Sequence, residues 1–174
     1  GAGTLTKDGS GTLTLSVANT YTGLTTVSAG SLTYGIANAI SSGDVTVNGS
    51  TAILALAGFT DTVGAVTLTE GSITGTTGNA LTGTSYTLNP ATGKTVAVSA
   101  ILAGAVNLTK SDLGTANLSG VNTYSGTTTI NASGGTLAIT GAGQLGSGTY
   151  AGTIAIGSGS TFAYSSSATQ TLSG

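Results

Sequence analysis

Eight side chains carry all the formal charge of this 174-residue chain: Lys7, Lys94 and Lys110, with Asp8, Asp44, Asp61, Glu70 and Asp112. Lys7 and Asp8 lie at nearly the same place in one stretch as Lys110 and Asp112 do in a second, so the four could share one surface. Cleavage of a glycosidic bond would need two carboxyl groups at a defined separation. One or two acids beside two Lys read instead as a solvated turn, and no catalytic residue is assigned. Gly141-Ala-Gly-Gln-Leu-Gly146 spells G-x-G-x-x-G, but a dinucleotide site needs a following helix and an acid about 20 residues on. No acid follows Gly146, so the segment reads as a glycine turn. Gly93-Lys94-Thr95 resembles the end of a phosphate loop, yet the Gly that opens such a loop falls on Leu88. It reads as a turn entering a strand, and no cofactor is implied.

Asn19-Thr-Tyr21 and Asn122-Thr-Tyr124 are the most informative polar residues. In one reading Tyr21 and Tyr124 are surface aromatics that stack on a glycan, with Asn19 and Asn122 beside them. In the other, which we favour, Asn bonds the amides of a turn and Tyr covers a strand edge. Thr-x-Thr recurs at Thr4–Thr6, Thr12–Thr14, Thr67–Thr69 and Thr127–Thr129. Ranks of Thr on a flat face can order water, but the uneven spacing reads as ordinary solvent-facing strand residues. Asn48-Gly-Ser50, Asn107-Leu-Thr109, Asn117-Leu-Ser119 and Asn131-Ala-Ser133 match the glycan-acceptor pattern, as chance does in an Asn/Ser/Thr-rich chain.

The elements that must position these residues follow from composition and repetition. The chain has no Cys, His, Met, Trp or Arg. Charged residues are 5% of it, against about 25% in ordinary domains. It thus lacks most side chains that do acid–base, nucleophilic or metal chemistry, and no metal site is expected. A net charge of −2 gives no footprint for nucleic acid, which needs clustered Lys and Arg. No run of 18 apolar residues is available to span a bilayer. An apolar fraction of 39%, spread evenly, argues against disorder. Starting at Gly1 without any Met, the chain reads as a processed product or an excised piece.

A long repeat organises it. Between Leu5–Ala29 and Leu108–Ala132, 14 of 25 positions are identical without a gap. After two inserted residues the match resumes, Gly30-Ser31-Leu32 against Gly135-Thr136-Leu137. Inside each copy short alternating runs are broken by Gly, Asn or Ser: Thr12–Leu15, Asp44–Val47, Ala65–Leu68, Thr95–Val98, Thr153–Ile156 and Thr161–Tyr164. Period-two alternation buries one face and shows hydroxyls on the other. A thick sandwich core calls for large aromatics; with two Phe, six Tyr and no Trp, a narrow stacked column fits better. The expectation is all-β: one continuous parallel β-solenoid over 1–174, of roughly eight coils at about 20 residues each. Its repeat units run 3–104 and 105–174, the second incomplete.

Leu5-Thr-Lys7, Gly11–Ser16, Asn19–Gly23, Thr25–Val27 and Gly30–Leu32 together resemble the autotransporter-associated β-strand repeat, or passenger-associated transport repeat. The second copy departs from it at Asp112, where Gly is usual, and at Ala116-Asn117. The resemblance implies a right-handed parallel β-helix in a secreted or surface-displayed bacterial protein, hence an extracellular place. It implies no catalytic residues. Function is then expected to be structural: a rod forming or extending a surface fibre or coat. Its expected partners are other copies of itself or flanking repeats, joined end to end. An adhesin passenger binding glycan through a Thr- and Tyr-bearing face is the alternative, and a polysaccharide-degrading enzyme a distant third.

Overall fold

The computed structural model describes residues 1–174. It is a solenoid of eight coils carrying 21 short strands, with one three-residue 3-10 turn, Gly146–Gly148, as its only helical element. Two faces run the length of the column as eight-stranded sheets, and their strands alternate along the chain. Sheet A is built from Leu5–Lys7, Thr25–Val27, Val45–Val47, Ala65–Leu68, Ser85–Leu88, Leu108–Lys110, Thr128–Ile130 and Ile154–Ile156. Sheet B is built from Thr12–Leu15, Ser31–Tyr34, Ile53–Ala55, Ser72–Thr74, Thr95–Val98, Thr115–Leu118, Thr136–Ile139 and Thr161–Tyr164. A third face is less regular. There Asp61–Thr62, Ala80–Thr82 and Ile101–Ala103 pair, and separately Thr149–Tyr150 pairs with Thr171–Leu172.

Every strand pairs in parallel with the strand one coil away, as a chain that winds rather than folds back must do. Register is set by what each face buries, because a slip of one residue would turn the apolar set outward. In sheet B, Leu13, Leu32, Leu54, Ile73, Val98, Leu118, Ile139 and Tyr164 form one inward rank. The six interior members, Leu32 to Ile139, belong to a single cluster of 31 buried residues that fills the column, and Leu13 and Tyr164 at its two ends are partly exposed. Each fully buried Leu, Ile or Val in it stabilises the fold by about 1.5–3 kcal/mol. Val and Thr suit the pleat, so composition, strand and stacking agree.

Outside sheet A the chain makes a second rank: Thr6, Thr26, Thr46, Thr67, Thr87, Thr109 and Thr129, ending on Ala155. The uneven Thr spacing of the sequence is absorbed in the corners, and on the sheet these residues are aligned. Thr6, Thr67 and Thr129 of the Thr-x-Thr pairs fall in this rank and face outward, as solvent-facing strand residues do. Corners also explain two matched glycines. Gly30 and Gly135 both have φ +64°, and a Cβ at either would collide with a backbone carbonyl one coil back, that of Gly11 or Gly114. Only Gly turns there without a clash.

Candidate functional site

Lys7 and Lys110 end sheet-A strands at inward positions, two residues after Leu5 and Leu108. The expectation of a solvated turn fails for both. Lys110 is fully buried and Lys7 nearly so. Each ammonium donates to three carbonyls: Lys7 Nζ to Asp8 (2.9 Å), Gly9 (2.7 Å) and Ala29 (2.9 Å), Lys110 Nζ to Ser111 (2.6 Å), Asp112 (2.7 Å) and Gly134 (2.6 Å). Three donors meet three acceptors, two in the corner of the same coil and one in the next. Burial is tolerable because no donor is left over. Burial still pushes the Lys110 ammonium down to about 8, against the pull of the Asp112 carboxylate. The alternation of Leu-Thr-Lys was the available signal, since residues two apart share a face. Asp8 and Asp112 stay exposed, so no shared surface of four charges forms.

The Asn-Thr-Tyr segments occupy another corner. Asn122 Nδ2 donates to the Gly120 (2.9 Å) and Gln144 (3.2 Å) carbonyls, and its Oδ1 accepts the Leu102 amide at 3.0 Å. One side chain thereby joins three consecutive coils. Asn19 repeats the pattern with the Val17 (3.0 Å) and Ala39 (2.8 Å) carbonyls. Tyr124 Oη pairs with Thr128 Oγ1 at 2.7 Å, and Tyr150 Oη joins the same hydroxyl at 2.7 Å and also bonds the Gly126 carbonyl. Tyr21 and Thr25 form the equivalent pair at 2.8 Å. The rings of Tyr86, Tyr124 and Tyr150 stack up the inside of the column, with centroids 6.2 and 5.7 Å apart. Burial raises all three phenols above their ordinary range.

The glycan-contact reading is corrected at Tyr124 and Asn122, both 0% exposed: neither offers a surface to a sugar. Asn122 is drawn inward by the one amide and two carbonyls it satisfies, and Tyr124 joins the buried core instead of covering an edge. Tyr21 and Asn19 are half-buried in the same geometry, within a coil that has a neighbour on one side only. A further inward acid, Asp61, accepts the Ile40 (2.9 Å) and Thr62 (2.7 Å) amides, and burial raises its carboxyl above the ordinary range. The Tyr34 hydroxyl close by is buried without a partner. Gly141–Gly146 forms a corner, with φ +59° at Gly141 and +54° at Gly146, leading into the 3-10 turn. Gly93, at φ +75°, turns the chain into the sheet-B strand from Thr95. No three acids converge as metal ligands, and no helix is long and apolar enough to cross a membrane.

Parallel coils, matched ranks and buried polar clamps that bond from coil to coil define a β-solenoid repeat protein. The chain carries two segments that match the passenger-associated transport repeat, residues 5–33 and 108–139, and these are the two segments that hold the buried Lys and Asn-Tyr clamps. It is similar to the adhesin BmaC autotransporter of Brucella suis biovar 1 (strain 1330), with 36% identity over 133 residues. The match spans 75% of this chain and 4% of that relative's length. No solved structure matches.

Proposed function

We propose that this chain is a rigid, non-catalytic stretch of a cell-surface passenger, a rod whose coils continue or stack end to end into a fibre or coat. The observation that carries the reading is the unbroken register of sheets A and B over all eight coils. Such a column resists bending and offers proteases few loose loops. Nearly every polar group of the repeat clamps is turned inward on backbone, which serves construction and leaves little for chemistry. The edges that join one coil to the next recur on the outermost coils. Leu13 and Val17 are exposed on one side, and Ile156, Tyr164 and Leu172 on the other. A strand edge beside apolar surface is a pairing template, for a flanking repeat or for a second copy.

The purified 174-residue chain is expected to sediment as concentration-dependent oligomers and to give filaments with an axial repeat in electron micrographs. Leu13→Asp combined with Ile156→Asp should return it to monomer. A wild-type chain that stays monomeric at high concentration would overturn the stacking.

Adhesion is the second reading, supported by the name of the similar Brucella protein. Attachment of the fluorescently labelled chain to host cell layers, saturable and competed by unlabelled chain, is the expected result, and its absence removes this reading.

A further inference from the structure

Charge is scarce in this protein and it is not spread evenly. Six of the eight charged side chains, Lys7, Asp8, Glu70, Lys94, Lys110 and Asp112, lie along the corner where each coil passes from sheet A to sheet B. The longest turn of that corner, Asn89–Lys94, holds the only proline. On one side of this turn Lys94 and Glu70 neutralise each other at 3.0 Å. On its other side lies a cleft of about 490 Å³ whose lining includes Thr92, Ser111, Asp112, Leu113, Asn131 and Ser133.

From this cleft we infer a binding site for a neutral sugar. Asp112 is the one acid whose carboxylate makes no hydrogen bond or ion pair within the chain. Asp8, Asp44 and Asp61 accept backbone amides, and Glu70 holds Lys94. Two carboxylate oxygens can accept both hydroxyls of a vicinal diol, a charge-assisted contact. Asn131 donates through Nδ2 to Ser111 Oγ at 2.9 Å, which leaves its Oδ1 free to accept. Leu113 is 57% exposed and gives the C–H face of a pyranose an apolar floor. Polar groups converging beside an apolar patch, in a volume of this size, are how small-molecule sites are built.

The chemistry narrows the ligand. No cation is free to meet an anionic group there, because the Lys110 ammonium beneath the cleft is already shared among three carbonyls. Calcium would need six to eight oxygens, several of them carboxylates, and one carboxylate is present. A neutral polyol remains. The walls are also held in advance: Lys110 bonds the Ser111 and Asp112 carbonyls, and Asp112 and Ser133 sit in left-handed backbone at φ +60° and +53°. A fixed cleft loses less ordering entropy on binding. The site deepens the adhesion reading and rests on it for its biological setting; it does not depend on end-to-end stacking.

The test titrates the 15N-labelled chain with methyl glycosides of glucose, galactose, mannose and N-acetylglucosamine, read by amide chemical shifts. At least one glycoside should shift residues 111–113 and 131–133 together. Asp112→Asn, which keeps a left-handed-tolerant residue, should weaken that binding roughly tenfold, and Leu113→Ser should weaken it too. Glu70→Gln should not. Shifts confined elsewhere, shifts unchanged by Asp112→Asn, or none with any glycoside would overturn the site. Cell attachment is measured on the same proteins. Attachment without cleft-centred shifts sinks the cleft and keeps adhesion; cleft-centred shifts without attachment keep the cleft and sink adhesion.

Discussion

A lysine with three carbonyls around its ammonium is a clamp and also a titratable one. The Ser111, Asp112 and Gly134 carbonyls have no other donor, so Lys110→Met strands one buried and two part-buried acceptors. It is expected to cost about 1–3 kcal/mol, measured by urea denaturation. The pH dependence has a definite sign. The unfolded chain titrates this lysine near 10.5 and the folded one near 8. Between those values the unfolded chain binds the extra proton, so stability rises with pH through the window. The phenols act oppositely. Tyr21, Tyr34, Tyr86, Tyr124 and Tyr150 are all raised above 10.0, chiefly by burial. Once the unfolded chain can ionise them, from about 10 upward, stability falls. The urea midpoint should therefore climb from pH 8 toward 10 and drop beyond it, and Lys110→Met should lose the climb but keep the drop. A midpoint that declines steadily from pH 8 would show that folding needs the charged ammonium more than burial opposes it.

At the level of strands and corners, the alternation in the sequence was a reliable guide. All six runs named from it meet strands: Thr12–Leu15, Ala65–Leu68, Thr95–Val98 and Thr161–Tyr164 coincide with them, and Thr153–Ile156 and Asp44–Val47 each miss by one residue. Period two is a local property, so it survives reading one residue at a time. Corner contents were not legible in the same way. Whether Asn122 faces water or three coils of backbone depends on residues 20 and 22 positions away, and charge alone misled the reading of Lys110. The Asp112 cleft was hidden for the same reason, because its two walls come from different coils. Corners also hold the tightest steric demands. Gly135→Ala forces a Cβ against the Gly114 carbonyl at φ +64°, and should cost at least about 2 kcal/mol. Gly93 has φ +75° with open space around it, so Gly93→Ala should cost only the left-handed backbone penalty of about 1 kcal/mol. Equal losses at the two sites would mean that backbone angle, and not the fit between coils, governs the corners.

Across the whole molecule, each coil touches only its neighbours, so stability behaves as a chain of coil-to-coil interfaces rather than as one cooperative core. Interior coils have two such interfaces and outer coils one. The consequence is visible in exposure: Leu13 of the first coil is 37% exposed, while Leu32, Leu54 and Leu118, its rank-mates inside, are 0%. The polar clamps sharpen the gradient. Asn122 takes the Leu102 amide through its Oδ1, and Asn19 bonds only through its Nδ2. Hydrogen exchange on the monomeric chain should thus show protection highest over Val45–Leu118 and falling toward both ends. The opening free energies should step by coil and not share one global value. Asn122→Ala, which cuts bonds to two neighbouring coils, should lower protection in the coils around it while leaving Val45–Val47 nearly unchanged. If instead every amide opened with the same free energy, and Asn122→Ala lowered all of them equally, the column would be folding as a single unit. The rod would then break all at once instead of yielding from its ends.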